Sequence, residues 1–155
     1  MLDPPSLLTM ARGLVRNAHL WPELADPPER TWDLMAASED FEAWIVGWPP
    51  GGAIEWHDHG GAGGAVVVAS GTLVEHAAEG SPADAARLRT TAIGVGEALL
   101  FGPRHVHDVV NAGTVPAVSV HVYAPRLKSM TYFDLDGGRL APTRTVRYRF
   151  GQTLP

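Results

Sequence analysis

The chain has 155 residues, enough for one domain with a sizeable core, and its 45% hydrophobic and 19% charged residues exclude a disordered chain. A net charge of -5 gives no electrostatic footprint for nucleic acid or an anionic membrane, so neither is an expected partner. Zero cysteines exclude disulfides, thiolate metal sites and a cysteine nucleophile.

The opening "MLDPPSLLTMARGLVRNAHLW" lacks a continuous apolar core of signal-peptide length, and no later segment has the apolar length of a membrane span. A soluble, cytoplasmic protein is expected. Pro4 and Pro5 precede Leu7, Leu8, Ala11, Leu14, Val15 and Ala18, whose spacing predicts an amphipathic helix over 5–19. The connector "WPELADPPER" leads to "TWDLMAA", read as a short helical turn or an extended piece. From Phe41 the pattern changes. "FEAWIVGW", "GGAVVVASG", "TLVEH", "EALLFG", "VHDVVN", "AVSVHVYA", "MTYFDL" and "RTVRYRF" are short, rich in β-branched or aromatic residues, and separated by turn residues. One domain over 1–155 is expected, all-β, with a helical N-terminal segment over 1–40 and a β-barrel over 41–150. "AAEGSPADAAR" reads as a mobile hairpin loop between two strands.

Within "PAVSVHVYAP", Val118, Val120 and Val122 alternate with Ser119, His121 and Tyr123. A face carrying a hydroxyl, an imidazole and a phenol, with no Lys or Glu, is odd for solvent. In a barrel that face can line the interior while the valines meet a second layer.

Of seven histidines, two pairs stand two residues apart: His57 and His59 in "WHDHGG", and His105 and His107 in "RHVHDVVN". On a strand each pair projects to one side and can share a metal, for which neutral imidazole is the commonest ligand. The order Gly51, His57, His59, Gly64, Gly71 follows the first motif of the cupin superfamily, with Gly64 where a glutamate is usual. Gly96, Pro103, His107 and Asn111 follow the second, with Pro103 offset by one position and Arg104 in place of a glycine. The His-x3-Asn ending favours His107 over His105 as third ligand. Three neutral imidazoles and no carboxylate would leave a 2+ charge without offset and coordination positions open to an anionic thiolate. His19 and His76 read as surface residues, and Trp44, Tyr132 and Phe133 as core.

"HDHGG", "HDVVN", "AVSVHVYAP" and the tail "SMTYFDLDGG" together resemble the cysteine dioxygenase family of cupins, over about Phe41 to Leu135. The resemblance implies a cupin barrel, also called a double-stranded β-helix or jelly roll, with iron(II), Fe(2+), held by His57, His59 and His107. It implies that a small thiol coordinates the metal, that O2 binds beside it, and that both oxygen atoms pass to sulfur to give a sulfinic acid. Tyr123 would direct its hydroxyl at substrate and oxygen, with His121 and Ser119 orienting it. A monomer or small homo-oligomer is expected.

The sequence departs from the family in two places. With no cysteine, the cysteine–tyrosine cross-link of some members cannot form. Members acting on cysteine hold its carboxylate with an arginine on the strand before the first motif, and matching through Trp44 and Trp48 puts Asp33 or Leu34 there. Arg30 is the nearest arginine and Arg104 a second candidate; His105 is a third residue able to back up a substrate contact. If no arginine reaches the clamp position, cysteine should bind weakly and a thiol without that carboxylate should do better. Other readings are a different metal-dependent cupin enzyme (an isomerase or ring-cleaving dioxygenase) and a non-catalytic cupin that binds a small molecule. The first leaves the Ser-His-Tyr run unexplained, and the second does not need three histidines.

Overall fold

The computed structural model of the protein describes residues 2–80 and 87–149. Helix α1 (Pro4–Val15) starts at Asp3, whose carboxylate accepts the Ser6 amide at 2.9 Å, with Pro4 and Pro5 in the first turn where an N–H would lack a partner anyway. The helix is shorter than its apolar spacing suggested. Two 3-10 turns, Ala18–Leu20 and Pro22–Leu24, follow it, the second opened by a proline that cannot extend a helix.

Among the described residues eleven strands follow: β1 (Thr31–Ala37), β2 (Glu42–Trp48), β3 (Ala53–His57), β4 (Gly63–Ser70), β5 (Leu73–Glu79), β6 (Arg87–Ile93), β7 (Ala98–Phe101), β8 (Val106–Val110), β9 (Ala117–Ala124), β10 (Ser129–Asp136) and β11 (Arg139–Arg147). They form two antiparallel sheets, one ordered β1-β2-β9-β4-β7 and the other β11-β10-β3-β8-β5-β6. The barrel strands therefore begin at Thr31, ahead of the expected boundary at 41. "TWDLMAA" is extended because it pairs with β2, from Thr31 opposite Gly47 to Ala37 opposite Glu42. Strands β5 and β6 pair as the expected hairpin, Glu79 opposite Arg87; residues 81–86 of its connection lie outside the described residues.

Strand β9 is buried along its whole length, between β2 and β4. Its two faces have different neighbours. Val120 and Val122 pack with Ala43, Ala65 and Val67 beneath Leu7 and Ala11 of α1, while Val118 meets Leu24 and Ile45. The helical N-terminal segment is thus the second layer that receives the valines. Tyr123 belongs instead to the interior cluster with Trp44, Val46, Trp48, Val66, Phe101 and Tyr132. The alternation Ser119, His121, Tyr123 accordingly faces the space between the sheets. Among the described residues, no helix is long and apolar enough to cross a membrane.

Candidate metal centre

His57 ends β3, opposite His107 of β8 in the strand register, and His59 follows in the turn two residues on. All three rings are buried, and their candidate ligand nitrogens lie within 4.8 Å of one another. The Nδ1–H of His57 donates to the Glu55 carbonyl at 2.6 Å, and that of His107 to the Glu75 carboxylate at 2.7 Å. Both rings therefore present an Nε2 lone pair to the interior. Nε2 of His107 stands 3.2 Å from Nε2 of His59. His59 is held by packing instead, stacked on Phe101 at 4.5 Å and on Tyr123 at 5.4 Å between ring centroids. Burial, aided by the charge of His107 on both and of His57 on His59, keeps His57 and His59 well below the usual imidazole pKa. Burial lowers His107 too, against the opposing pull of Glu75. Neutral imidazoles crowding their lone pairs toward one point fit a cation, because only a shared positive charge relieves that approach.

Glu75 is the participant that the sequence reading missed. It sits on β5, 1% exposed, and accepts from His107 Nδ1 and from His105 Nε2 at 2.8 Å through one oxygen. Burial pushes its carboxyl up, but the two histidine hydrogen bonds together outweigh this and hold it at about 2. His57, His59 and His107 are all imidazoles, yet a negative charge lies one imidazole away and would partly offset a cation held there. A signal existed: Glu75 shares the strand face of Leu73 and Ala77, both buried, where a carboxylate needs partners. Glu75→Gln should lower metal affinity about 10- to 100-fold, because an amide cannot accept both imidazole protons through one anionic oxygen. Chelator competition reads this directly, and an unchanged affinity would make Glu75 a packing residue only.

Gly64 of β4 stands opposite Phe101 of β7 in the strand register. A Cβ there would stand 2.4 Å from the Phe101 ring, so the room a glutamate would take is filled by Phe101. Glycine allows that ring to reach His59 on one side and His105, stacked at 5.0 Å, on the other. Asn111, the end of His-x3-Asn, is structural: its Nδ2 donates to the Trp48 carbonyl at 3.0 Å and the Val115 carbonyl at 2.8 Å.

On β9, Ser119 Oγ is 2.7 Å from His121 Nε2, and His121 Nδ1 is 3.2 Å from the Tyr123 hydroxyl. Burial, then Arg30 and His107, push His121 down to about 3, so it is neutral; burial raises Tyr123, so its phenol keeps its proton. The desolvated polar groups satisfy one another in a row.

The arginine candidates separate. Arg30, just before β1, places its guanidinium 5.0 Å from the Trp32 ring and 4.9 Å from the Trp48 ring, and its charge acts on Tyr123, Tyr132 and Tyr148. Arg104 is exposed on the turn before β8. Asp33 is exposed and accepts from the Trp21 indole at 2.9 Å, so no acid replaces the arginine inside. His105 backs Glu75, His76 pairs with Asp108 at 2.6 Å on the outer side, and His19 is exposed beyond α1. Trp44 and Tyr132 are core, while Phe133 is half-buried.

A family model described as cysteine dioxygenase type I matches residues 9–136. Among solved structures, the TT1209 protein from Thermus thermophilus is similar at TM-score 0.55 and 22% identity, covering 66% of this chain and 89% of that one. A conserved protein with a double-stranded β-helix domain from Klebsiella pneumoniae is similar at TM-score 0.56 and 22% identity, covering 79% and 93%. An oxalate oxidase in complex with glycolate reaches TM-score 0.56 at 20% identity, covering 66% of this chain and 54% of that one. At such identities the shared property is the double-stranded β-helix fold.

Proposed function

The chain belongs to the cysteine dioxygenase type I family, and from that membership we propose that it is an iron(II)-dependent thiol dioxygenase converting a small thiol and O2 to a sulfinic acid. The observation that carries the reading is the joint placement of two groups on one interior. The buried His57, His59 and His107 face the same space as Tyr123, whose ring stacks on His59. An iron(II) ion held by the three histidines would supply the site for the thiolate and the dioxygen. Phe101 covers His59 and keeps water from that side. Tyr123, protonated and aimed from β9, donates a hydrogen bond to the reacting groups. Arg30, its guanidinium over the Trp32 and Trp48 rings, holds a carboxylate of the thiol.

Oxygen uptake by the iron-loaded protein, with sulfinate identified as product, tests the reading across cysteine, 3-mercaptopropionate, cysteamine and a larger thiol. No uptake above the iron-free control with any of them would sink it. Tyr123→Phe should retain metal and lower turnover about 10- to 100-fold, as for one lost hydrogen bond to the reacting groups. His121→Ala should cost less, since it acts only by orienting the phenol. Equal turnover in the Tyr123→Phe protein would leave the phenol a packing role.

A further inference from the structure

We propose that Trp48 is a positioning residue: it fixes the direction of the Ser119–His121–Tyr123 hydrogen-bond line, so that Tyr123 is left with a proton to donate, and it ties that line to Arg30. The inference rests on Tyr123 and Arg30 serving the thiol as described above. Trp48 is 0% exposed at the end of β2, and its indole Nε1–H donates to Ser119 Oγ at 2.8 Å. An indole nitrogen can only donate. Ser119, also 0% exposed, therefore has two polar neighbours and a single proton, which cannot go to Trp48. It goes to His121 Nε2. The neutral imidazole then carries its one proton on Nδ1 and donates it to the Tyr123 oxygen. The opposite direction would make Ser119 Oγ accept twice and leave its buried hydroxyl proton without an acceptor among these partners, at the cost of a desolvated donor. Tyr123, already an acceptor, is free to turn its own O–H toward the reacting groups.

The same indole holds its neighbours in place. Its ring lies nearly parallel to His121, 6.3 Å away and inclined by 24°, and the Arg30 guanidinium rests 4.9 Å from its centroid. Its carbonyl is fastened by Asn111, four residues after the ligand His107 and just past the strand that carries it. One side chain thus touches the arginine, the serine and the imidazole, while its backbone is tied to the end of the metal-binding strand.

The test reads the proton itself. In zinc-loaded protein carrying 15N-histidine, long-range 1H–15N correlations near neutral pH should show His121 as the Nδ1–H tautomer. The Nε2–H form in the wild type would overturn the proposal. This measurement needs no turnover, so it stands even if no thiol is oxidised and the dioxygenase reading falls. Trp48→Phe keeps an aromatic ring under Arg30 but removes the indole N–H. It should lose the single tautomer and lower kcat about 5- to 10-fold, with KM for a carboxylate thiol within about twofold, as for one buried hydrogen bond. Trp48→Leu, which also removes the ring, should raise KM as well. A folded, metal-bound Trp48→Phe protein with unchanged tautomer and kcat would reduce Trp48 to core packing.

Discussion

Replacing His57, His59 or His107 with alanine is expected to abolish tight binding of one divalent metal, while His105→Ala should bind it nearly as the wild type does. The contrast is informative because, among the described residues, two side-chain groups could hold an ion, His57–His59–His107 and Glu75–His105–His107, and they share His107. Hydrogen bonding separates them. In the second group, the Nδ1 proton of His107 and the Nε2 proton of His105 already point at Glu75, at 2.7 and 2.8 Å. A cation placed there would have to displace protons from imidazoles that are using them. In the first group the Nδ1 protons of His57 and His107 are committed elsewhere, so the free lone pairs face the interior. Three ligands to an otherwise open site leave little affinity when one is lost, so metal content per chain after anaerobic loading and desalting should fall from about one to near zero. Retention in His57→Ala together with loss in His105→Ala would move the centre to the second group.

The ease of reading each part of this site follows from how local its cause is. Alternation along 118–123 marked both faces of β9, and the expected barrel supplied an interior for one and a second layer for the other. Spacing of two residues marked the histidine pairs, but not by the strand geometry expected of them: β3 ends at His57, so His59 reaches the site from the following turn, and His105 precedes β8 and turns to Glu75. Glu75 is different. Its role exists only because β5 lies beside β8, with Ala77 opposite His107, and pairing between strands 30 residues apart has no local signature. Phe101 and Gly64 are coupled in the same way, as neighbours across β7 and β4. Strand β6 was implied by the hairpin loop but not delimited, because it is mostly exposed and carries Arg and Thr rather than an apolar stripe. Arg30 defeated the register argument for a further reason. It precedes β1 and reaches the interior through its long side chain, held by Trp32 and Trp48, so counting back along a strand could not place it.

Arg30→Ala should raise KM for a carboxylate-bearing thiol about 10- to 150-fold, the range expected for losing one charge-assisted hydrogen bond of roughly 1.5 to 3 kcal/mol. Cysteamine, which has no carboxylate, should lose far less. In the wild type, cysteine or 3-mercaptopropionate is then the expected better class of substrate, the reverse of the expectation that followed from aligning Asp33 with the clamp position. The reversal has a geometric basis: Asp33 faces outward to Trp21, whereas the Arg30 charge reaches His57, His121 and Tyr123. Arg30→Lys separates charge from shape. Lysine would keep the positive charge but not the planar fork over the Trp32 and Trp48 rings, so it should recover only part of the lost affinity. The measurement is oxygen uptake against thiol concentration for wild type, Arg30→Ala and Arg30→Lys, with Arg104→Ala as the control for an exposed arginine. Arg104→Ala should match the wild type. If cysteamine outperforms both carboxylate thiols in the wild type, or if Arg30→Ala weakens all three alike, then Arg30 supports the barrel interior and the carboxylate clamp lies elsewhere.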